Sequence, residues 1–181
     1  MKKIILFCLI SLMAQENFAQ EFKKGTQVGS LGVGIGGVFG SYTTTKSTPA
    51  ISLQYERGIW GIGEKGVISL GGYLGYRSFK YTSSYYNQSW NYTIIGLRSA
   101  YHYNGFDVKN LDPYAGLMLG YNYLNYKYDG PGGNLLNGTY GSTVGLSGYI
   151  GSRYYLNSDF AAFAELGFGI SYLTIGAAYR F

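Results

Sequence analysis

The sequence predicts an all-β chain, an eight-stranded antiparallel up-and-down transmembrane β-barrel. Three observations predict it. Apolar residues alternate with small or polar ones through eight segments, the period-two pattern of strands with one greasy face. After Met13 no apolar run approaches the about 18 residues that suggest a membrane helix, so a chain that crosses a bilayer must close its sheet and pair every strand edge. The last segment runs to an aromatic residue, with Leu173, Ile175, Ala177, Tyr179 and Phe181 on one face.

The first element is a leader. Lys2 and Lys3 precede an apolar run over residues 4–13, within signal-peptide range and too short to span. A polar stretch leads to Ala19-Gln20, which predicts a cleaved signal peptide over 1–19 and a single barrel domain over 20–181. The lone cysteine, Cys8, lies inside the apolar run, so the mature chain is expected to hold no disulfide.

Composition narrows the class. The chain has 29 Gly, 21 Tyr and 10 Phe with 13% charged residues; that aromatic content argues against disorder, and the glycines show no collagen period. Removing Lys2, Lys3 and Glu16 with the leader takes the net charge from +5 to +4. The basic residues are scattered, whereas nucleic-acid binders cluster them on one face, so no nucleic-acid partner is expected.

The eight segments are read at about 25–42, 50–59, 67–81, 90–103, 113–126, 140–155, 160–168 and 173–181. In the third, Ile68, Leu70, Leu74 and Tyr76 oppose Ser69, Gly71, Tyr73, Gly75 and Arg77. In the fourth, Ile95, Leu97, Tyr101 and Tyr103 oppose Gly96, Arg98, Ala100 and His102. The first, third and fifth links are polar and rich in Ser, Thr, Asn and Gly, which predicts that they face outside the cell, because such barrels begin and end on the periplasmic side. The link over 104–112 falls on the other side.

Periodicity alone does not say which face meets lipid. The polar face is dense in Gly, Ser and Ala, which suits the narrow interior of eight strands. It also carries Glu56, Arg77, Arg98, Arg153, Glu165 and Arg180, read as a lumen network of carboxylate–guanidinium pairs. On the apolar face the aromatics gather at strand ends, at Tyr101, Tyr103, Tyr121 and Tyr123, the headgroup depth that such rings prefer. Both features put the apolar face outward.

The runs Asp112-Pro113-Tyr114-Ala115-Gly116-Leu117-Met118-Leu119-Gly120-Tyr121 and Phe163-Ala164-Glu165-Leu166-Gly167-Phe168-Gly169-Ile170, with the closing strand from Leu173 to Phe181, resemble small outer-membrane β-barrel proteins of the "outer membrane protein beta-barrel domain" and porin-like families common in Bacteroidota. The resemblance implies an outer-membrane location, contact with outer-membrane lipid and lipopolysaccharide, and insertion by the barrel-assembly machinery. Leu173, Ile175, Tyr179 and Phe181 are then the expected insertion signal. It implies no agreed activity.

Chemical motifs are sparse. Gly32-Val33-Gly34-Ile35-Gly36-Gly37 matches a dinucleotide fingerprint in letters only, because alternation runs through it where a helix is needed. His102 is the only histidine, so no metal set is read. A Ser–His–acid site would draw on Ser99 or Ser147 with Glu165, but the His-x-Ser arrangement of lipid A-modifying barrels is absent. Glu56 and Glu165 beside four arginines read as structural ion pairs before paired acid and base. No catalytic residue, cofactor or metal is expected. The function expected is a structural or surface-interaction barrel with an extracellular ligand unspecified; the alternatives are a narrow passive pore and a lipid A-modifying enzyme.

Overall fold

The structure, a computed structural model, describes residues 22–37, 46–106, 108–131, 138–139 and 141–181. The expected leader over 1–19, with Cys8, lies outside the described residues. All eight expected segments are strands: β1 (Gln27–Ile35), β2 (Ala50–Ile62), β3 (Gly66–Thr82), β4 (Asn87–Tyr103), β5 (Leu111–Asp129), β6 (Thr143–Tyr155), β7 (Phe160–Gly167) and β8 (Leu173–Arg180). Two-residue pieces, Lys46–Ser47 and Gly138–Thr139, lie against β3 and β5. β1 ends earlier than alternation suggests because Gly36 and Gly37 turn to φ 69° and 149°.

Each strand pairs antiparallel with its neighbour in sequence, and β8 pairs with β1. No edge is left along the ring. Opposed residues can be followed once around, from Val144 through Tyr121, Ile95, Leu74, Leu53, Leu31, Ala177 and Ala162. The circuit returns to β6 at Tyr154, ten residues from Val144. A stagger of this kind tilts the strands by about 35–45° and sets the bore.

Every residue on that circuit is apolar or aromatic, and every one is exposed. Leu97 is 73% exposed and Leu146 71%, while Arg153 is 1% and Glu56 3% exposed. A water-soluble fold cannot hold that inversion, because greasy side chains would coat the outside. Hydrocarbon reverses the cost, so the outer face is stable in lipid. Tyr101 and Tyr103 lie near one end of the outer face, the end where Tyr154 and Tyr179 also sit; Tyr121 and Tyr123 lie near the other, with Tyr76.

The wall is uneven. β1, β7 and β8 have 9, 8 and 8 residues; β3, β4 and β5 have 17, 17 and 19. The three long strands overhang the rim as a ledge. Along it the polarity of the two faces swaps. Outward positions change from Leu74, Ile95 and Leu119 to Ser78, Lys80, Asn91, Ser89, Asn125 and Lys127. Inward positions change from Arg77 and Arg98 to Phe79, Tyr81, Trp90, Tyr92, Tyr126 and Tyr128. These inward rings pack on each other: Trp90 on Tyr126 at 5.6 Å, Phe79 on Tyr92 at 5.7 Å, and Tyr86 between Tyr81 and Tyr128 at 5.7 and 5.8 Å. The swap marks where the strands leave hydrocarbon. Beyond it water surrounds the sheet, and ordinary burial of rings against rings returns.

Candidate functional site

The interior is organised in layers along the barrel axis. The lowest layer lies at the end where β1 begins and β8 ends. Glu56 from β2, Ser69 from β3, His102 from β4, Asp112 from β5 and Arg153 from β6 all alternate inward and meet there. Arg153 donates one Nη to Asp112 Oδ2 at 3.0 Å and pairs through the other with Glu56 Oε1. His102 has Asp112 Oδ1 2.7 Å from Nδ1 and Glu56 Oε2 3.4 Å from Nε2. The Ser69 hydroxyl donates to Glu56 Oε2 at 2.8 Å. Two carboxylates, one guanidinium and one imidazole are thus cross-linked across five strands.

Phe22 closes this layer from below. Its ring stacks on His102 at 3.7 Å and 9°, with no exposed surface. The backbone that carries it is tied to the rim: Asn104 Nδ2 donates to Phe22 O at 2.9 Å, and Gly25 N to Gly58 O at 2.8 Å. The segment over 22–26 therefore folds into the mouth as a stopper. Beside it Arg180 lies 4.4 Å over the Tyr155 ring and donates to the Ser158 carbonyl.

The middle layer is built on Arg98 and Glu165. Two Nη atoms reach the two carboxylate oxygens at 3.0 and 3.4 Å, a fork-on-fork pair. Tyr114 donates to the same carboxylate at 3.1 Å, and Arg98 lies 4.1 Å over the Tyr149 ring. Gly116 sits on β5 between these tyrosines because a Cβ there would come 2.5 Å from the Tyr149 ring. A cavity of about 30 Å³ remains between Tyr73, Arg98, Tyr149 and Glu165, enough for one water.

Above it Ala50, Ile94, Met118 and Ile170 form an apolar layer, with Tyr73 and Tyr149 packed on it. Arg77 tops the stack. It takes carbonyl oxygens from Thr48 at 3.2 Å, Ile170 at 3.4 Å and Gly36. Its guanidinium also lies 4.7 Å over the Phe79 ring.

The six residues expected to share a lumen network all face inward, but they separate into these layers. Glu56 meets Arg153, and Glu165 meets Arg98. Arg77 has no carboxylate among the described residues; it is satisfied by main-chain oxygens because it lies where strands end and carbonyls lose their ladder partners. Asp112 and Ser69 were not expected in the network. The sequence pattern ends the link over 104–112 at Asp112, whereas β5 starts at Leu111, and the alternation Asp112, Tyr114, Gly116 already carries the signal.

The histidine does meet a serine and an acid, but through other residues than Ser99, Ser147 and Glu165. Ser69 Oγ lies 3.1 Å from His102 Nε2, and Asp112 lies on Nδ1. Ser99 is on the outer face, where it donates to the Ser69 carbonyl at 2.9 Å. The spacing is that of a nucleophile, base and acid, yet Ser69 and His102 are both 0% exposed. The Ser69 hydroxyl points at a carboxylate, and Phe22 covers the imidazole. Both groups are enclosed, and within the fold the cluster sets a guanidinium between two carboxylates across the bore. Among the described residues no group of His, Cys, Asp and Glu is arranged to hold a metal.

A closed ring with an apolar girdle outside and paired charges inside defines a transmembrane barrel of the bacterial outer-membrane type. The sequence pattern of the family described as "Outer membrane protein beta-barrel domain" matches residues 5–181. The chain belongs to that family, and its place is the cell outer membrane. Among solved structures it is similar to the attachment invasion locus protein Ail of Yersinia pestis, there in complex with the heparin analogue sucrose octasulfate. That match has 12% identity over 87% of this chain and 99% of the other, with a TM-score of 0.54. Neisserial surface protein A matches at 15% identity over 87% and 96%, TM-score 0.49. OprG from Pseudomonas aeruginosa matches at 13% over 89% and 98%, TM-score 0.49. At 12% identity the likeness to Ail is one of fold. No curated protein matches the chain.

Proposed function

We propose that the protein is a closed, non-catalytic surface barrel that anchors an interaction ledge on the outer side of the membrane. The observation that carries this reading is the filled bore: two salt-bridged layers and an apolar layer cross it, and Phe22 stops its lower mouth. In this reading the leader is removed after Ala19, so Phe22 becomes the third residue of the mature chain. The closing-strand residues Leu173, Ile175, Tyr179 and Phe181 address the assembly machinery, and Tyr101, Tyr103, Tyr121 and Tyr123 sit at the two headgroup levels. The overhanging ends of β3, β4 and β5 then face the medium, as the longer connections of such barrels do. Ail, the neighbour solved with a sulfated sugar, suggests a polyanionic saccharide as the class of surface ligand.

Planar-bilayer recording tests the closed bore. The wild-type barrel is expected to give no steady current steps. Phe22→Ala alone is expected to stay closed, because the layers above still block; F22A/E56Q/D112N/R153A/R98A/E165Q/I94A/M118A, which clears all three layers without leaving a buried carboxylate unpartnered, is expected to open measurable steps. Steady wild-type conductance would establish the passive-pore alternative. Lipid A mass spectra from a deletion strain are expected to match the parent; a missing modification would establish the enzyme alternative.

A further inference from the structure

The outward face of the ledge carries charge in an arrangement that strand pairing does not favour. Lys46 lies directly opposite Lys80, Lys80 opposite Ser89, and Ser89 opposite Lys127. Three lysines therefore share one row across four adjacent strands. Neighbouring strands lie about 4.8 Å apart, so the row spans about 15 Å. Like charges placed directly across a ladder repel. All three side chains are exposed, and among the described residues none forms an ion pair or hydrogen bond. Asp129 is the acid on this face of β5, one outward position beyond Lys127 at the ledge tip. Among the described residues nothing repays the repulsion.

The height of the row identifies what does. Reading up the outer face, an apolar row of Leu74, Ile95 and Tyr121 is followed by Tyr76, Thr93 and Tyr123, then by Ser78, Asn91 and Asn125, then by the lysines. Tyr76 already reaches upward, donating to Asn91 Oδ1 at 3.0 Å. Four residues separate Tyr76 from Lys80, about 13 Å along a strand and about 10 Å along the membrane normal once the tilt is allowed for. The polar zone on each side of the hydrocarbon is about 5–8 Å deep. A lysine side chain bends back by several ångströms to place its ammonium there. The row thus hangs its charges at the outer edge of the headgroups, on the side of the ledge that faces lipid and away from the bore.

We propose that Lys46, Lys80 and Lys127 form a binding row for the phosphate groups of the phosphorylated glycolipid in the outer leaflet, with Ser89, Asn91 and Asn125 supplying hydrogen bonds to its sugars. This rests on the surface-barrel reading and on its orientation. The lipid supplies the counter-charge that the described residues lack. Each lysine near an anionic surface is worth about fivefold in affinity, so all three together amount to about a hundredfold.

The test uses the full mature barrel refolded into neutral phosphatidylcholine vesicles, with its thermal midpoint read from heat-modifiable gel migration. Purified lipopolysaccharide is titrated in, and in parallel the same material after enzymatic dephosphorylation, or inorganic phosphate. Native lipopolysaccharide is expected to raise the wild-type midpoint by several degrees, and the shift is expected to shrink in 0.5 M salt. The dephosphorylated lipid and inorganic phosphate are expected to give little or no shift. K46Q/K80Q/K127Q is expected to insert and migrate as the wild type does in neutral vesicles and to need about a hundredfold more lipid for the same shift. Equal titrations for wild type and variant would overturn the lysine row while leaving the barrel reading intact. An equal shift from dephosphorylated lipid would overturn the phosphate assignment. A wild-type chain that stays soluble without inserting would remove the barrel reading itself.

Discussion

Replacing Arg153 by methionine is expected to destabilise the folded barrel by about 3–5 kcal/mol, the cost of leaving buried charges without their partner. Arg153 is the one guanidinium that joins Glu56 to Asp112 across β2, β5 and β6, and it is 1% exposed. Its loss leaves two carboxylates facing each other with His102 alone between them. Phe22 and Tyr114 cover the cluster on both sides, which hinders compensating solvent; Arg153 lies 4.6 Å over the Tyr114 ring. Urea unfolding in detergent micelles, followed by gel migration, measures the loss. The triple variant E56Q/D112N/R153M is expected to recover most of it, because neutralising all three removes the uncompensated charge. R153K is expected to fall between, since an ammonium replaces the forked pair with a single point charge. If R153M unfolds within about 1 kcal/mol of wild type, the cluster does not hold the strands together.

What alternation could show is the wall, and what it could not show is the contents of the bore. Leu31, Val33 and Ile35, or Ile51, Leu53 and Tyr55, repeat at period two within one strand, so the faces and the strand count are local facts of the sequence. The partners of Arg98 and Arg153 depend on the ten-residue stagger around the ring, which no single strand records. Phe22 escaped for another reason: it lies before the first alternating residue, and its burial is created by the ring it plugs. The ledge shows a third limit. Polar residues at 78, 80, 87, 89 and 91 alternate as regularly as the leucines below them. A face assignment that keeps one polarity along a strand is reversed past the swap, although the expected bounds at 81, 90 and 126 already cross it and the strands run only one to three residues further, to Thr82, Asn87 and Asp129. The dinucleotide-like glycines resolve in the same way: β1 runs through Gly32 and Gly34, which face the bore where Thr174, Ser52 and Ser171 need the space.

Closure of the ring rests on one further residue, Gly176, and its substitution is the second large effect expected. Gly176 of β8 lies opposite Gly32 of β1 on one side and Phe163 of β7 on the other. A Cβ built on it would collide with the Leu31 carbonyl and come 2.7 Å from Gly32 Cα and from the Phe163 ring. Phe163 has a ring that can turn; the Leu31 carbonyl and Gly32 Cα are backbone in the seam that joins the last strand to the first. A glycine there lets two main chains approach more closely than any side chain permits. Gly176→Val is therefore expected to destabilise by at least the about 3 kcal/mol typical of severe overpacking, leaving β8 unpaired and the edge of β1 open in lipid, where open edges are not tolerated. The measurement is the fraction of chain that shows the fast-migrating folded band after refolding into vesicles. Gly61→Ala is the control, because a Cβ at that position meets nothing within 4 Å. A Gly176→Val chain that folds as completely as the Gly61→Ala control would mean that the seam has slack in its register, and that the last strand is held to the first by its outward face, Ile175 and Tyr179 included, more than by the close approach of the two backbones.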